Sequence, residues 1–530
     1  MIVERNSKAG AAVGALRSSR RLLLGSALAL CALTAAPAFG QSDGQLVVGV
    51  TKLTPHLDPM GIMANTNWRV SQNFLETLIR YDYATGALSP GLATAWERTS
   101  PTTLELTLRD GVTCHNGEPF DSEDVAVMFG PERLQGEGAP GFLEASPQLG
   151  IIKSVKALGP KTVVFETKVP DPLLELRLAN YMSEVPCADA YRGVGTWEQW
   201  GQQVVGTGPY KLAEVRPNEL QRFERFEGYW GTPAPLAGFT LKVVPETGAR
   251  IAGLLAGEYD IVTEVAPDQF ESIEEEASTE VVGGAIQNIR SIQFDTRNPV
   301  LSDPRVRRAL GFAIDRDLIV ESIFHGKTVV PKGFQMKAFG KMYVEGFKPT
   351  GYDPELARKL LAEAGYQGEE IPYWYLLDYY TGEVAIAQIL QQMWKEVGVN
   401  VVLTQKENWG QIEAKEAAGE RGITNNSNNA VYPDPIGQLY RNFGPTGSFV
   451  LKGYWNNDRF MDWSQDLLSV DFDTRRAAHQ YMLEIWEQDP PGTYLYNLPM
   501  FYGKKTAVDW RPTNTPFMDF RAGNVALPSN

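Results

Sequence analysis

The sequence contains few of the residues that hold metal ions or act as nucleophiles. Its 530 residues include three cysteines and four histidines, and the histidines lie far apart at His56, His115, His325 and His479. No C-x-x-C pair and no Cys/His spacing of the zinc-binding kind occurs. The sequence therefore predicts no metal site and no metal cofactor.

The signatures of common catalytic sites are absent as well. The chain has no G-x-S-x-G, H-E-x-x-H or Walker sequence. Residues 136–141 match G-x-G-x-x-G, but they include Pro140, and Glu137 stands where a phosphate group would approach. A dinucleotide site also needs a strand before this motif, whereas a helical pattern precedes it here. We therefore expect a protein that is not an enzyme and that binds no cofactor.

Long apolar runs are confined to the N-terminus. A positive stretch ending in Arg20 and Arg21 precedes apolar residues 22–33, and small residues follow as far as Gly40. This run is shorter than the roughly 20 residues that a membrane-spanning helix needs. The order of the three parts is that of a secretory signal peptide over residues 1–40. We expect cleavage after Gly40, or alternatively two residues earlier, and a mature chain that spans no membrane.

The arginine pair bears on the route of export. Arg20 and Arg21, followed by three leucines, resemble a twin-arginine signal, and an ordinary general-secretory signal is the alternative. Leu30 stands before Cys31 where a lipobox needs Gly, Ala or Ser, so no lipid anchor is expected. Both routes lead to the periplasm.

An excess of positive charge is also lacking. The chain has 49 Lys and Arg against 64 Asp and Glu; without residues 1–40 these become 44 and 63, a net charge of −19. Proteins that bind nucleic acids neutralise phosphates with Lys and Arg. The sequence therefore predicts no nucleic-acid partner.

Periodic patterns indicate an α/β protein. Leucines alternate with polar residues over 104–108, and further strand patterns occur at 163–165 and 241–244. Apolar residues at helical spacing over 386–397 lie between strand patterns at 373–377 and 399–403. A β-α-β unit of this kind implies an α/β layer.

One helix has clear signals at both ends. Asp353 is a good N-cap and Pro354 a good first helical residue. Gly365 follows the last apolar position and is expected to end the helix.

The segment LRDGVTCHNGEPFDSEDV, residues 108–125, carries a resemblance to a known family. It is similar to the pattern L-R-x-G-V-x-F-H-D-G-x-P-F-x-A-x-D-V of the large periplasmic solute-binding proteins that feed peptide, opine and nickel ABC importers. Cys114, Asn116 and Ser122 replace the usual Phe, Asp and Ala. Other motifs of this family, bacterial extracellular family 5, follow in order: LDP (57–59), NFLETL (73–78), LATAWE (92–97), GTGPY (206–210), GYWG (228–231), LAGEYD (255–260), DPRVRRALGFAIDRD (303–317) and YDPELARKLLAEAGY (352–366).

The resemblance implies the large, three-domain type of the two-lobed periplasmic binding protein fold, with a cleft between the lobes. The expected parts are a discontinuous first lobe (41–81, 201–297 and 503–530), an inserted domain (82–200) and a second lobe (298–502). The chain would pass between the lobes near Arg297 and near Tyr502, and these two points would form the hinge.

The resemblance also implies a function. The protein is expected to be the periplasmic substrate-binding component of an ABC importer, capturing a small polar ligand and passing it to an inner-membrane permease and ATPase complex. A monomer is expected. The alternatives are a secreted hydrolase and a periplasmic chaperone or sensor on the same scaffold.

Individual motif residues acquire structural roles from the resemblance. Because Cys114 takes the place of a packed Phe, two separately buried thiols are expected, and a Cys114–Cys187 disulfide is the alternative. His115 belongs to the F-H-D-G turn and is expected to form structural hydrogen bonds. Residues 303–317 are expected to be a capped helix rather than a site for an anion.

Two loops are expected to line the cleft. In the family the loop after L-D-P reaches the ligand, which points to Met63 and Trp68. The irregular stretch 425–435 before Pro435 is expected to be the other wall. Aromatic rings and neutral amides supply contact area and hydrogen bonds, whereas a solvated turn is the alternative for the Asn/Ser run. The predicted ligand-binding residues are Met63, Trp68, Trp409, Asn425, Asn426, Asn428 and Tyr432.

The ligand is expected to differ from a simple peptide. Peptide-binding members carry an aspartate about three residues before this D-P pair, where it binds the peptide ammonium. The residue three positions before Asp434 is Val431, whose apolar side chain cannot balance a buried positive charge. The sequence therefore favours an opine, a sugar conjugate or a capped peptide derivative. Dipeptides and oligopeptides are the alternative, with the ammonium met elsewhere, for example by Asp378.

Overall fold

A ten-stranded mixed sheet is the largest sheet of the described residues. The computed structural model describes residues 44–527 except 63, 137, 377–379, 408, 413–418 and 431. The predicted signal peptide lies outside this part of the chain.

The strands of the described residues are, in chain order, β1 (Gln45–Val50), β2 (Glu76–Thr77), β3 (Ile79–Tyr81), β4 (Leu88–Pro90), β5 (Ala93–Ser100), β6 (Thr103–Leu108), β7 (Ile152–Ala157), β8 (Thr162–Thr167), β9 (Glu184–Val185), β10 (Tyr210–Arg216), β11 (Leu220–Arg225), β12 (Gly238–Val243), β13 (Ile261–Val262), β14 (Thr279–Phe294), β15 (Ile371–Leu376), β16 (Val401–Lys406), β17 (Ile423–Asn429), β18 (Gly492–Lys505), β19 (Asp509–Trp510) and β20 (Val525–Ala526).

The α-helices of the described residues are α1 (Asn65–Phe74), α2 (Ser122–Phe129), α3 (Phe142–Leu149), α4 (Leu174–Arg177), α5 (Ala188–Arg192), α6 (Trp197–Trp200), α7 (Thr247–Leu255), α8 (Phe270–Glu274), α9 (Pro304–Phe312), α10 (Arg316–Phe324), α11 (Pro354–Ala364), α12 (Glu383–Glu396), α13 (Trp409–Ile412), α14 (Leu439–Phe443), α15 (Ser448–Leu451), α16 (Asp458–Asp466) and α17 (Phe472–Gln488). Short 3-10 helices include Pro59–Gly61, Pro267–Gln269, Lys337–Met342 and Pro435–Gly437.

The order of strands in the large sheet is β10-β11-β12-β1-β13-β18-β14-β17-β15-β16. The first five strands form one end of the sheet, and β17, β15 and β16 form the other. The long strands β14 and β18 pair with each other in the middle and extend into both ends. The sheet is therefore continuous, and two strands carry the chain between its halves.

The pairing of β14 with β18 is interrupted near its centre. Ala285 is the partner of Pro499 and Ile289 the partner of Asn497, so three residues of β14 lie opposite one residue of β18. Just before this bulge Gly283 has a φ of +113°, and an added Cβ would collide with the carbonyl oxygen of Met500. A bulge and a glycine of this kind bend a strand locally.

The C-terminal segment completes the half of the sheet that contains β1. Asn73, on α1, donates from Nδ2 to the carbonyl oxygen of Met518 (2.8 Å) and accepts from the amide of Phe520 (2.9 Å). The hydroxyl of Tyr210 donates to the carbonyl of Phe520 (2.7 Å). Residues more than 400 positions apart are thus joined in one hydrogen-bonded unit.

A separate four-stranded antiparallel sheet, β5-β6-β8-β7, lies within residues 82–200. Leu104, Leu106 and Leu108 of β6 all point into its core, as their alternation with polar residues predicts. The predicted strand at 163–165 is the centre of β8, and the one at 241–244 falls on β12.

A disulfide joins Cys114 to Cys187, with 6.3 Å between their Cα atoms. The expectation of two separate buried thiols is wrong, and the alternative is correct. Both cysteines do lie in the packed core beside the four-stranded sheet, as the replacement of a Phe suggests. The β5–β8 region and the turn at His115 bring them together although 73 positions separate them.

The predicted helix with signals at both ends is α11. The carboxylate of Asp353 accepts from the amide of Leu356 (2.9 Å), Pro354 is the first helical residue, and Gly365 ends the helix with a φ of +76°. The predicted β-α-β unit is β15-α12-β16, whose strands are parallel. Both predictions are confirmed.

His115 and the arginines of residues 303–317 have structural roles, as expected. The Nε2 of His115 donates to the carbonyl of Gly208 (3.0 Å), and burial lowers the pKa of His115 to about 4. Asp303 caps α9 by accepting from the amide of Arg305 (2.8 Å). Buried Arg307 donates to the carbonyl of Pro490 (2.8 Å), which ties α9 to the start of β18.

No helix in the described part of the chain is both long enough and apolar enough to cross a membrane.

Candidate ligand-binding site

The L-D-P motif begins one wall of the site, which we call the helical wall and define as residues 58–72. Asp58 accepts from the amide of Met60 (2.9 Å) and so caps the 3-10 helix Pro59–Gly61. The same carboxylate accepts from Arg133 Nη2 (2.6 Å) and Trp200 Nε1 (2.7 Å). Burial alone would raise the pKa of Asp58, but Arg133 and Trp200 outweigh it, so the pKa is lowered. This buried ion pair fixes the position of the wall.

Trp68 lies on the helical wall but not in a loop. It is in α1, it is 4% exposed, and its ring stacks on Tyr181 with a centroid distance of 5.1 Å. Because Ala64 is the N-cap of α1, Trp68 lies in the first helical turn, directly after the loop that follows the L-D-P motif. Its Nε1 atom is buried and makes no hydrogen bond within the described residues.

Further polar groups accompany Trp68. The hydroxyl of Tyr83 donates to Gln72 Oε1 (3.1 Å), whereas Gln72 Nε2 is buried and has no partner within the described residues. The hydroxyl of Ser71 donates to Glu184 (2.8 Å), and burial raises the pKa of that carboxyl to about 7. The helical wall thus places hydrogen-bonding groups within an aromatic and apolar setting.

A cavity of about 650 Å³ opens beside Gln72 and Tyr83. Its volume falls within the range of small-molecule sites. Its other lining residues include Arg80, Tyr229 and Asn514. Asn514 accepts at Oδ1 from Gln287 Nε2 (3.0 Å), and Gln287 lies in the bulge of β14. The cavity therefore lies near the crossing of β14 and β18.

The opposite wall, which we call the strand wall, consists of residues 423–434. The expectation of an irregular loop over 425–435 is wrong for its first part, because residues 423–429 form β17, paired with β14. The hydroxyl of Tyr373 donates to Asn425 Oδ1, and Asn428 Nδ2 donates to Ser291 Oγ (2.8 Å). These amide side chains bond across the sheet, so neither is a solvated turn residue.

Asn426 also bonds across the sheet. Its carbonyl accepts from Arg290 Nη1 (2.7 Å), and its Nδ2 donates to Asn428 Oδ1 (3.3 Å). At the end of β17, Asn429 is the register partner of Asn288. The Oδ1 atoms of these last two residues are buried without partners in the described part of the chain.

Tyr432 and Asp434 follow β17. Arg475 donates through Nη2 to both carboxylate oxygens of Asp434 (2.7 Å each), and Asp434 accepts from the amide of Ile436 (2.9 Å). Asp434 therefore holds the turn after β17 in place. Tyr432 is 4% exposed and lies under the guanidinium of Arg177, 4.9 Å from its ring centroid.

Arg177 contacts the strand wall from a distant part of the chain. It lies at the end of α4, within residues 82–200, and its Nε donates to Asp171 (2.9 Å). The amide of Ala430 donates to the carbonyl of Gln287 (3.1 Å), which connects the strand wall to the bulge. The two walls and the crossing strands therefore meet in one region.

Some predicted residues cannot be placed. Met63, Val431 and Asp378 lie outside the described residues. Trp409 begins α13, but its side chain is outside the described part. Within the described residues no three His, Cys, Asp or Glu side chains are arranged to hold a metal ion.

Tyr181, Gln72 and Arg177 were not predicted from the sequence. Tyr181 lies opposite Trp68 because β9 returns beside β2, and no local pattern predicts that pairing. Gln72 is one helical turn beyond Trp68, so a helix rather than a loop at this point would have indicated it.

Comparisons with known proteins agree on the family. The model of the bacterial extracellular solute-binding proteins, family 5 Middle, matches residues 87–449. A dipeptide-binding protein of Escherichia coli (strain K12) is 26% identical over 429 residues, 76% of this chain and 79% of that protein. A glutathione-binding protein of Shigella flexneri serotype 5b (strain 8401) is 26% identical over 393 residues, 74% of each chain.

A solved structure shows the same fold. The ABC transporter-associated periplasmic binding protein DppA from Helicobacter pylori, in complex with the peptide STSA, matches with a TM-score of 0.77 at 22% identity. The match covers 92% of this chain and 98% of that one. The predicted periplasmic binding protein fold and the predicted family are confirmed. The chain belongs to family 5 of the bacterial extracellular solute-binding proteins and is a substrate-binding component of an ABC importer.

Proposed function

We propose that this protein binds a small polar ligand between the helical wall and the strand wall and that the ligand carries no free ammonium needing a protein carboxylate. The observation that carries the proposal is the set of buried neutral polar groups on the two walls, among which Asn288 Oδ1 and Asn429 Oδ1 make no hydrogen bond within the described residues. Each unpaired buried group costs about 1–3 kcal/mol. A ligand rich in hydrogen-bonding groups would offset that cost.

Two carboxylates on or beside the strand wall support the same ligand class. Asp171 is paired with Arg177, and Asp434 is paired with Arg475. Neither is available to balance an ammonium, and position 431 is a valine. An opine, a sugar conjugate or a capped peptide derivative therefore fits better than a free peptide. A dipeptide or oligopeptide is the second candidate, since relatives include a dipeptide-binding protein.

We propose that the lobes follow the division given by the family resemblance: 41–81, 201–297 and 503–530 as the first lobe, 82–200 as its inserted domain, and 298–502 as the second lobe. The bulge at residues 286–288 and Gly283 support a hinge slightly before Arg297 on β14. Phe501, the register partner of Gly283, supports the other crossing near Tyr502 on β18. Closing of the lobes would then change the backbone angles of only a few residues.

We propose that the protein is a monomer in the periplasm and that it binds its ligand without catalysing a reaction. Export would depend on residues 1–40, by the twin-arginine or the general-secretory route. The permease would recognise the ligand-bound, closed form. The protein itself would convert no substrate.

A binding screen tests the ligand class. We expect mature protein (residues 41–530) to bind an opine, a sugar conjugate or an N-acetylated peptide with a stoichiometry of one. A ligand at 100 times its Kd should stabilise the protein by about 2.7 kcal/mol. Thermal-shift measurements followed by calorimetry provide the check, with free-amine di- to pentapeptides in parallel. Tight binding of the free-amine peptides alone would contradict the ligand class, and heat from turnover without stoichiometric binding would contradict the function.

Conservative substitutions test the residues of the walls. Trp68→Phe keeps the stacking on Tyr181 but removes Nε1, so we expect ligand affinity about tenfold lower with little change in apo stability. Tyr432→Phe removes the hydroxyl, so we expect a similar loss of ligand affinity with little change in apo stability. Trp68→Ala is a poor test because removing a buried aromatic side chain costs about 3–5 kcal/mol of stability. Trp463→Phe is the matched control, since Trp463 stacks on the surface residue Tyr481. Unchanged affinity in both wall variants would exclude this placement.

A further inference from the structure

Residues 171–177, which we call the latch segment, contribute to an apolar core formed by a distant part of the chain. Leu173 is 6% exposed and belongs to the apolar cluster that contains Tyr432 of the strand wall. Every other buried member of that cluster lies between residues 289 and 494. The side chain of Leu173 is therefore buried by residues more than 100 positions further along the chain.

Arg177 makes the second contact of the latch segment with this part of the chain. Its guanidinium lies over the ring of Tyr432, 4.9 Å from the ring centroid. The Nε atom of Arg177 donates to Asp171 (2.9 Å), and Nη1 donates to the carbonyl of Gln148 (2.7 Å). The hydrogen bonds that hold the guanidinium thus come from its own side of the contact, and Tyr432 meets it through the face of the ring.

The polar groups of the latch segment are likewise satisfied on their own side. The amide of Leu173 donates to Asp171 (3.1 Å), and Arg98 Nε donates to Glu175 (2.7 Å). Within the described residues, no hydrogen bond or ion pair joins the latch segment to residues 289–494. The contact consists of apolar packing and one cation–ring interaction. It can therefore open without leaving a buried polar group unpaired, which is the main cost of separating two surfaces.

We propose that the latch segment docks on the strand wall when the lobes close and leaves it when they open. This inference rests on the proposed function and on the proposed lobes, in which the latch segment belongs to the inserted domain and Tyr432 to the second lobe. A contact made only in the closed form raises ligand affinity without touching the ligand, because affinity falls with the fraction of protein in the binding-competent form. Arg177 is then a positioning residue that fixes the ring of Tyr432 as the site closes.

Three leucine variants of the mature protein (residues 41–530) test the proposal. The probes are an N-acetylated dipeptide and an opine, with affinity measured by calorimetry and dissociation followed by stopped flow. We expect Leu173→Ala to bind about tenfold more weakly, because the closed form loses apolar packing and dissociates faster. Leu173→Met keeps the side-chain volume and should stay within roughly threefold of the wild type. Leu143→Ala, at an 81% exposed leucine of α3, is the matched control and should bind as the wild type does.

Apo stability distinguishes a latch from a permanent core contact and needs no probe. If Leu173 leaves the cluster when the lobes open, apo Leu173→Ala should melt within about 1 °C of Leu143→Ala. A leucine that stayed packed would instead lower the melting temperature by a few degrees. A large apo loss in Leu173→Ala, or unchanged probe affinity in that variant, would overturn the proposal. If the wild type bound neither probe, the proposed ligand class would fail, whereas the apo comparison would still decide whether the contact of Leu173 opens.

Discussion

Removing the disulfide between Cys114 and Cys187 is expected to lower the free energy of unfolding by about 4 kcal/mol. The bond closes a loop of 73 positions, and the chain-entropy relation for a loop of that length gives this value. Both cysteines are fully buried, and Cys114→Ala together with Cys187→Ala removes the bond and only two sulfur atoms from the core. Urea unfolding of the wild type and the double variant measures the difference.

Reduction supplies the control for this prediction. A thiol reductant should lower the unfolding midpoint of the wild type towards that of the double variant, and it should leave the double variant unchanged. Ligand affinity should change little, because the bond lies in the core beside β5-β6-β8-β7 rather than at the walls. Equal midpoints for oxidised wild type and double variant would refute the stabilising role.

Asp58→Asn is expected to destabilise the protein by about 3–5 kcal/mol. The substitution removes the negative partner of Arg133, whose side chain is 1% exposed, and a buried charge left unpaired carries that cost. The pKa of Asp58 is lowered in the folded state, so its contribution is present above the ordinary value of 3.8. It is lost as the pH falls through the folded value. The difference between wild type and variant should therefore be full at pH 7 and shrink in strong acid.

An exposed carboxylate is the appropriate comparison for Asp58. Asp110 is 94% exposed and lies 3.6 Å from Lys161, so Asp110→Asn should leave the unfolding midpoint almost unchanged at any pH. Chemical denaturation between pH 3 and pH 8 measures both variants. A similar midpoint for Asp58→Asn and Asp110→Asn would show that the buried pair does not hold the helical wall in place.

Local signals allowed much of the fold to be predicted. Asp353, Pro354 and Gly365 define α11 because capping, proline at the first position and a left-handed glycine act within a few residues. The unit β15-α12-β16 was predictable because its apolar periodicity changes from strand to helix and back. The family resemblance was carried by motifs whose residues, such as Asp58 and His115, form buried hydrogen bonds far along the chain.

Long-range contacts explain what the sequence did not reveal. An Asn/Ser run is typical of a turn, but residues 425–429 form a strand because β14 pairs with them and Tyr373 and Ser291 bond their side chains. The disulfide was not favoured because nothing local indicates that two cysteines 73 positions apart are neighbours.

The site was predictable only in part, for a similar reason. Trp68 and Tyr432 were proposed from the sequence, whereas Tyr181, which stacks on Trp68, was not. Tyr181 becomes a neighbour of Trp68 because β9 pairs with β2, more than 100 positions earlier in the chain. No local pattern indicates a contact over that distance.

The hydrogen bonds of Asn73 with Met518 and Phe520 make the first helix depend on the C-terminal segment. Helix α1 cannot complete its contacts, nor the central sheet acquire β18, without the last part of the chain. The four-stranded sheet β5-β6-β8-β7 has no such dependence, since its pairing partners all lie between residues 93 and 167. Contacts between residues far apart in sequence form slowly, so we expect this small sheet to form before the region of the cleft when the protein folds.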